Sequence, residues 1–274
     1  MNIIDIMMKF ATQKDCIEYL EEIRWHGKPV CPYCESDNTY KLIHDERYRH
    51  HCNGCRKSFS VTVGTIFHNT RLPLQKWFLA IILILNAKKG ISSCRLARDI
   101  QVHQETAWSM GHRIRKAMQQ KDGELLKGIV EMDETYVGGK PRKQAKKDDD
   151  DFPQNKRGRG TKKQAVVGMI ERKGNVKIHV AKDNDLKFGI LSGLVKTHVD
   201  TENSALYTDE FKGYNGMKKI LDHKTVDHSV GIYSVNGIST NSMESFWAIL
   251  KRGITGQFHH ISKKYMRKYL DEFC

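Results

Sequence analysis

Two CxxC turns, Cys31-Pro-Tyr-Cys34 and Cys52-Asn-Gly-Cys55, with seventeen residues between them, constrain this chain more than any other feature it carries. Each turn presents two thiolates, and two turns at this interval complete a tetrahedral all-sulfur shell, the zinc-ribbon pattern. A single CxxC near a βαβ pattern would suggest a redox dithiol, whereas two matched pairs suggest a metal. With four cysteines as ligands the site is closed, so its zinc is structural and holds together a module too small to stabilise itself by apolar burial. Residues 40–43 and 48–51 suit short strands, and Phe59, Val61 and Val63 extend the alternation into a third. Because the shell is already full, His44, His50 and His51 read as exposed strand residues. Cys16, Cys94 and Cys274 lack ligand spacing and read as small packing residues.

The odd total of seven cysteines argues against a disulfide framework. The N-terminal stretch lacks the basic start and small-residue cleavage site of a signal peptide. Reduced thiols in a cytoplasm are therefore expected. The apolar run over residues 77–85 is far shorter than the roughly 20 residues that span a bilayer, and reads as a buried helix with no membrane partner.

Of the net charge of +14, half falls in residues 71–120, which carry 9 basic and 2 acidic residues. A charge excess concentrated this way marks a surface for a phosphate backbone. After Pro73 the pattern predicts a helix running to basic residues and Gly90, then a short helix capped by Ser92 or Ser93, a turn at Gln101-Val102, and a second helix from His103. This is a helix-turn-helix pattern. Ala107, Met110 and Ile114 face inward, and Gln104, Thr106, Arg113 and Arg115 are expected outward as double-stranded DNA contacts.

Beyond residue 126 the period changes. Strands are expected at 128–137, 164–171 and 176–181, a helix at 186–197, a strand ending in Asp209 and a helix beginning near Asn241, an order that suits an α/β layer fold. Carboxylates at strand ends and on a packed helix are costly to bury unless something neutralises them, and three drawn from separate elements can hold two Mg²⁺ ions. The alternation leaves the choice open: Glu131 shares a strand face with Asp133, while Glu134 and Glu210 are adjacent candidates.

The segments VEMDETYVGGK, YTDEFKGY and STNSMESFWAILKRGITGQFHHISKKYMRKYLDEF, together with the CPYC and CNGC knuckles and FSVTVGTIFHNTRLPLQKWF, resemble DDE transposases of bacterial insertion sequences. The resemblance is to the group with an ISXO-two-like domain behind a zinc ribbon, and runs from about residue 24 to the C-terminus. It implies a ribonuclease H-like catalytic fold, two catalytic Mg²⁺ ions, and DNA cleavage and strand transfer at the element's terminal inverted repeats. It also implies a homo-oligomer on DNA and association with the nucleoid. By position it selects Asp133, Asp209 and Glu244 as magnesium ligands and Lys251 as a basic residue on the same helix face as Glu244; some relatives use another polar residue as third ligand, which points to Asn241.

The expected organisation is an N-terminal helical segment (1–27), the ribbon (28–68), a helix-turn-helix-like domain (69–122) and the catalytic domain (126–274). A basic loop, rich in Lys, Arg and Asp, is inserted at 138–163 and is expected to be flexible. Relatives continue beyond the DEF segment, whereas this sequence ends at Cys274. The competing expectations are therefore a non-catalytic DNA-binding protein or an inactive truncated remnant, and a nuclease that hydrolyses without joining.

Overall fold

The computed structural model describes residues 3–119, 123–138, 163–182, 185–226 and 239–274. The basic loop expected at 138–163 lies almost entirely outside them. The chain divides into two compact units, Met1–Ala117 and Met118–Cys274.

In the first unit, α1 (Ile3–Lys9) and α2 (Gln13–Trp25) precede a three-stranded antiparallel sheet of β1 (Thr39–Lys41), β2 (His50–Cys52) and β3 (Ser58–Phe59). A capping box starts α2: Asp15 N–H donates to the Thr12 hydroxyl at 3.2 Å, and Thr12 N–H donates to the Asp15 carboxylate at 2.8 Å. The helix is fastened to the ribbon by its Arg24 guanidinium, which donates to the carbonyls of Val61 and Val63 at 2.6 Å each. His50 is not an exposed strand residue. It is only 3% exposed, lies 2.9 Å from the Glu21 carboxylate, and sits among the rings of Trp25 and Phe59. The third strand is also shorter than the alternation suggests, because Val61 and Val63 lie in a turn that Arg24 holds.

Three helices follow: α3 (Leu74–Leu85), α4 (Ser93–Ile100) and α5 (Gln104–Ala117). α3 stops at Asn86 instead of reaching Gly90, whose φ of +75° turns the chain toward α4. The Ser92 hydroxyl caps α4 by accepting from Arg95 N–H at 3.2 Å, and Gln101 ends it in the left-handed region, so the short turn into α5 is as expected. Leu96, Ala97 and Ile100 are buried, as are Ala107, Met110 and Ile114. The outward reading of Arg113 and Arg115 needs correction. Arg115 is 4% exposed and reaches the Ile91 carbonyl, with its guanidinium against Gly111. Half-buried Arg113 donates to the His68 carbonyl at 2.6 Å and lies over the Trp77 ring. Both long side chains turn back because carbonyls and an aromatic face within the unit satisfy them. Gln104 is exposed and donates to the Ser93 hydroxyl, and Thr106 is half-buried.

The second unit is built on a five-stranded sheet of β4 (Leu126–Val137), β5 (Gln164–Glu171), β6 (Val176–Val180), β7 (Val199–Thr208) and β8 (Asp222–Thr225), in the order β6-β5-β4-β7-β8. β5 is antiparallel to both its neighbours, while β4, β7 and β8 are parallel. One face carries Val130, Met132, Val167 and Met169 against α6 (Phe188–His198) through Leu191, Leu194 and Val195. The opposite face carries Val137, Val166 and Ile178 against α7 (Asn241–Gly253) and α8 (Met266–Leu270). The strict alternation of β4 thus serves two cores, and its odd-numbered residues look toward α7.

Close approach of α7 depends on Gly168. A Cβ there would stand 2.7 and 2.8 Å from Trp247 ring atoms and would also strike the Met243 methyl. Gly168→Ala is expected to destabilise the protein by about 1–3 kcal/mol through overpacking. Urea denaturation of the full chain checks this, and an unchanged midpoint would mean that α7 moves away freely.

Candidate active site and metal-binding residues

The ribbon brings its four cysteines together. Cys31 Sγ lies 3.6 Å from Cys55 Sγ, and Cys34 Sγ lies 3.5 Å from Cys52 Sγ. All four sulfur atoms fall within 4.8 Å of one another. Zn–S bonds of about 2.3 Å at tetrahedral angles require sulfurs about 3.8 Å apart, so the set fits a zinc ion.

In the second unit a carboxylate cluster forms where β4 loses its parallel neighbour. The β4–β7 pairing ends at Glu131 and Tyr207, so two residues further on Asp133 faces the start of the loop after β7, where Asp209 lies. Asp133, Glu134 and Asp209 each place a carboxylate oxygen within 4.8 Å of the others. Glu134 points to the other sheet face from Asp133, yet it reaches the cluster and accepts a hydrogen bond from the buried Tyr214 hydroxyl at 2.9 Å. Trp247 Nε1 of α7 donates to Asp133 at 3.1 Å, and Asp209 accepts from Phe211 N–H at 3.1 Å.

Burial, then the charges of Glu134 and Asp209, push Asp133 up to about 7. The same acids and, above all, burial hold the Tyr214 phenol well above its ordinary value, so it stays a neutral donor. Three carboxylates with oxygens within 4.8 Å of one another form a hard oxygen donor set, and a divalent cation fits it.

Glu244 is not in this cluster. It is exposed in the first turn of α7 and accepts a hydrogen bond from the Thr240 hydroxyl at 3.2 Å. Lys251 lies two turns further along the helix, where partial desolvation lowers its ammonium's pKa and the charge of Asp133 opposes that shift. Asn241 is exposed at the helix start. Trp247 and Tyr214 touch the cluster but are not among the residues that the sequence singles out. The signal for Trp247 was its helical spacing of three from Glu244, while nothing local marks Tyr214.

The parallel and antiparallel strand order, with acids at the open end of its central strand, defines a ribonuclease H-like protein carrying a four-cysteine zinc ribbon. The chain belongs to the ISXO2-like transposase domain family, whose model matches residues 125–274, and the transposase zinc-ribbon domain model matches residues 11–58. It is 25% identical over 280 residues to an uncharacterized protein in transposable element ISH50 of Halobacterium salinarum, covering 96% of this chain and 90% of that protein. Among solved structures it is similar to the Mos1 strand transfer complex, at 14% identity and a TM-score of 0.34 over 70% of this chain and 68% of that one. A simian T-cell lymphotropic virus intasome in complex with a PP2A regulatory subunit matches at 12% identity and a TM-score of 0.32, over 65% and 63% of the two chains. Among the described residues no helix is long and apolar enough to cross a membrane.

Proposed function

We propose that this transposase-family chain binds double-stranded DNA at the terminal inverted repeats of a mobile element and catalyses Mg²⁺-dependent cleavage and strand transfer into target DNA. It would do so in the bacterial cytoplasm, at the nucleoid and as a homo-oligomer. The observation that carries this reading is the convergence of Asp133 and Asp209 with Glu134 at the open end of β4.

Asp133 and Asp209 are the two fixed magnesium ligands, each held by a hydrogen bond from its surroundings. Glu244 is the third, reached when its side chain leaves the Thr240 hydroxyl. What supports it is its place on the helix whose Trp247 already touches Asp133, and the family resemblance. Two Mg²⁺ ions bound there supply Lewis-acid activation of the attacking oxygen and stabilisation of the leaving oxygen. Lys251 on α7 interacts electrostatically with Asp133 on β4, which supports a role for its ammonium in holding a DNA phosphate beside the acids. Glu134 keeps its bond to Tyr214 and tunes the charge of the cluster. In the first unit, Gln104 and Thr106 at the start of α5 are the proposed base contacts. Arg113 and Arg115 support that helix from behind.

The test compares Glu244→Gln with Glu134→Gln in cleavage and joining of labelled element ends. Glu244→Gln is expected to lose roughly 10²-fold or more, and Glu134→Gln much less. The reverse order makes Glu134 the third ligand.

A further inference from the structure

Glu131 carries no part in the proposed chemistry, yet it is the only carboxylate among the described residues that is 0% exposed. Its side chain is saturated with donors. Ser242 N–H and Met243 N–H reach Oε2 at 2.8 and 3.1 Å, while the Ser242 hydroxyl and Arg172 Nε reach Oε1 at 3.0 and 2.7 Å. Ser242 and Met243 are the second and third residues of α7, the positions whose N–H groups a helix leaves unpaired and an N-cap side chain ordinarily satisfies. The N-cap residue here, Thr240, makes no such bond, its hydroxyl being turned to Glu244. A carboxylate from the central strand caps the helix instead, and its charge meets the positive end of the helix dipole.

Arg172 extends the clamp. It donates to the carbonyl and the hydroxyl of Ser239 at 3.2 and 3.0 Å, and its guanidinium lies 5.1 Å from the centre of the Tyr207 ring, two residues before Asp209. One ion pair, buried on its Glu131 side, thus joins β4, which carries Asp133, β7, which leads to Asp209, and the start of α7, which carries Glu244. Glu244 follows by one residue, about 1.5 Å along the helix axis, the Met243 N–H that Glu131 holds.

We infer that Glu131, with Arg172, is a positioning residue that caps α7 from the sheet and thereby sets where Glu244 and Lys251 stand relative to Asp133 and Asp209. This rests on the reading that Asp133, Asp209 and Glu244 hold magnesium. Mg²⁺ requires near-ideal octahedral geometry, and groups that orient ligands without touching the ion typically contribute 10–100-fold to metal affinity or activity.

The experiment uses the full-length zinc-loaded protein labelled with ¹⁵N. The Trp247 indole N–H, which donates to Asp133, reports the seating of α7, and a Trp247→Phe spectrum assigns it. In Glu131→Gln, whose amide cannot accept on both sides, the Trp247 resonance is expected to move before any Mg²⁺ is added. Half-maximal Mg²⁺ for its response should then rise about 10-fold or more, and kcat on labelled element ends should fall by roughly 10–100-fold with end affinity unchanged. Ser242→Ala deletes the hydroxyl donor, leaves Glu131, Arg172 and the helix backbone in place, and should act in the same direction. It decides the matter should Glu131→Gln fail to fold. A folded variant with Trp247 unmoved and Mg²⁺ dependence unchanged overturns the inference. If the wild-type Trp247 resonance ignores Mg²⁺ altogether, the magnesium reading fails, and its displacement in magnesium-free Glu131→Gln alone decides whether Glu131 seats the helix.

Discussion

Asp133→Asn is expected to lower cleavage and joining of element ends by roughly 10³-fold or more, while affinity for those ends changes little. Losing even one preorganised electrostatic group commonly costs about 10²–10³ in rate, and Asp133 is central to the whole cluster. The same substitution has an opposite effect on stability, with a definite pH dependence. Burial, with Glu134 and Asp209, lifts the folded Asp133 to about 7 from its ordinary 3.8. A folded pKa above the unfolded one contributes stability that is complete below about pH 4 and is lost as pH rises through about 7. Over that window the magnesium-free wild type should lose up to about 4 kcal/mol that Asp133→Asn, which cannot ionise, retains. Saturating Mg²⁺ should restore the wild type at pH 8 and do nothing for the variant. Denaturant titrations at pH 5 and pH 8, with and without Mg²⁺, read this directly. Equal pH dependence in the two proteins would show that Asp133 is not the strained acid, and surviving cleavage would remove it from the active site.

Cys52→Ser is expected to abolish stoichiometric zinc and unfold the ribbon while the second unit stays folded. Zinc contributes an apparent 10–16 kcal/mol to the folding of small zinc modules, far more than three strands of two or three residues can supply. The consequences should reach α2, since Arg24 and Glu21 are tied to Val61, Val63 and His50 of the ribbon. Elemental analysis should show one zinc per wild-type chain and none in the variant. Limited proteolysis should then cut within residues 11–58 and spare the β4–β8 sheet. A variant that keeps its zinc, or an unchanged digestion pattern, would assign the ribbon's stability to α2 and the aromatic cluster. DNA end binding should weaken with the ribbon, and chelation of the wild type should reproduce the loss.

Much of this molecule was legible in the order of its residues, and the legible parts share a cause. Zinc ligands at Cys31, Cys34, Cys52 and Cys55, the Ser92 cap, the Gln101 turn and the alternation of β4 are set by spacing within a few residues, where backbone geometry leaves few choices. Asp133 and Asp209 do not belong to this class: local alternation leaves Glu131, Glu134 and Glu210 standing beside them, and the family resemblance makes the selection. What a polar side chain does at a given position is decided by which other elements arrive beside it. Glu131 and Asp133 look alike in the strand, but the helix start meets the first and the end of β7 opens beside the second. Arg115 and His50 read as surface residues until a carbonyl of Ile91 and a carboxylate of Glu21, 24 and 29 residues away, supply the partners that make burial affordable. Glu134 brings a carboxylate oxygen within 4.8 Å of Asp209, and Tyr214 comes from a different turn to meet it. Chain order fixes which groups exist and where each element begins. The desolvation and pairing that turn them into a cap, a ligand or a buried prop exist only once the sheet and its helices have closed around them.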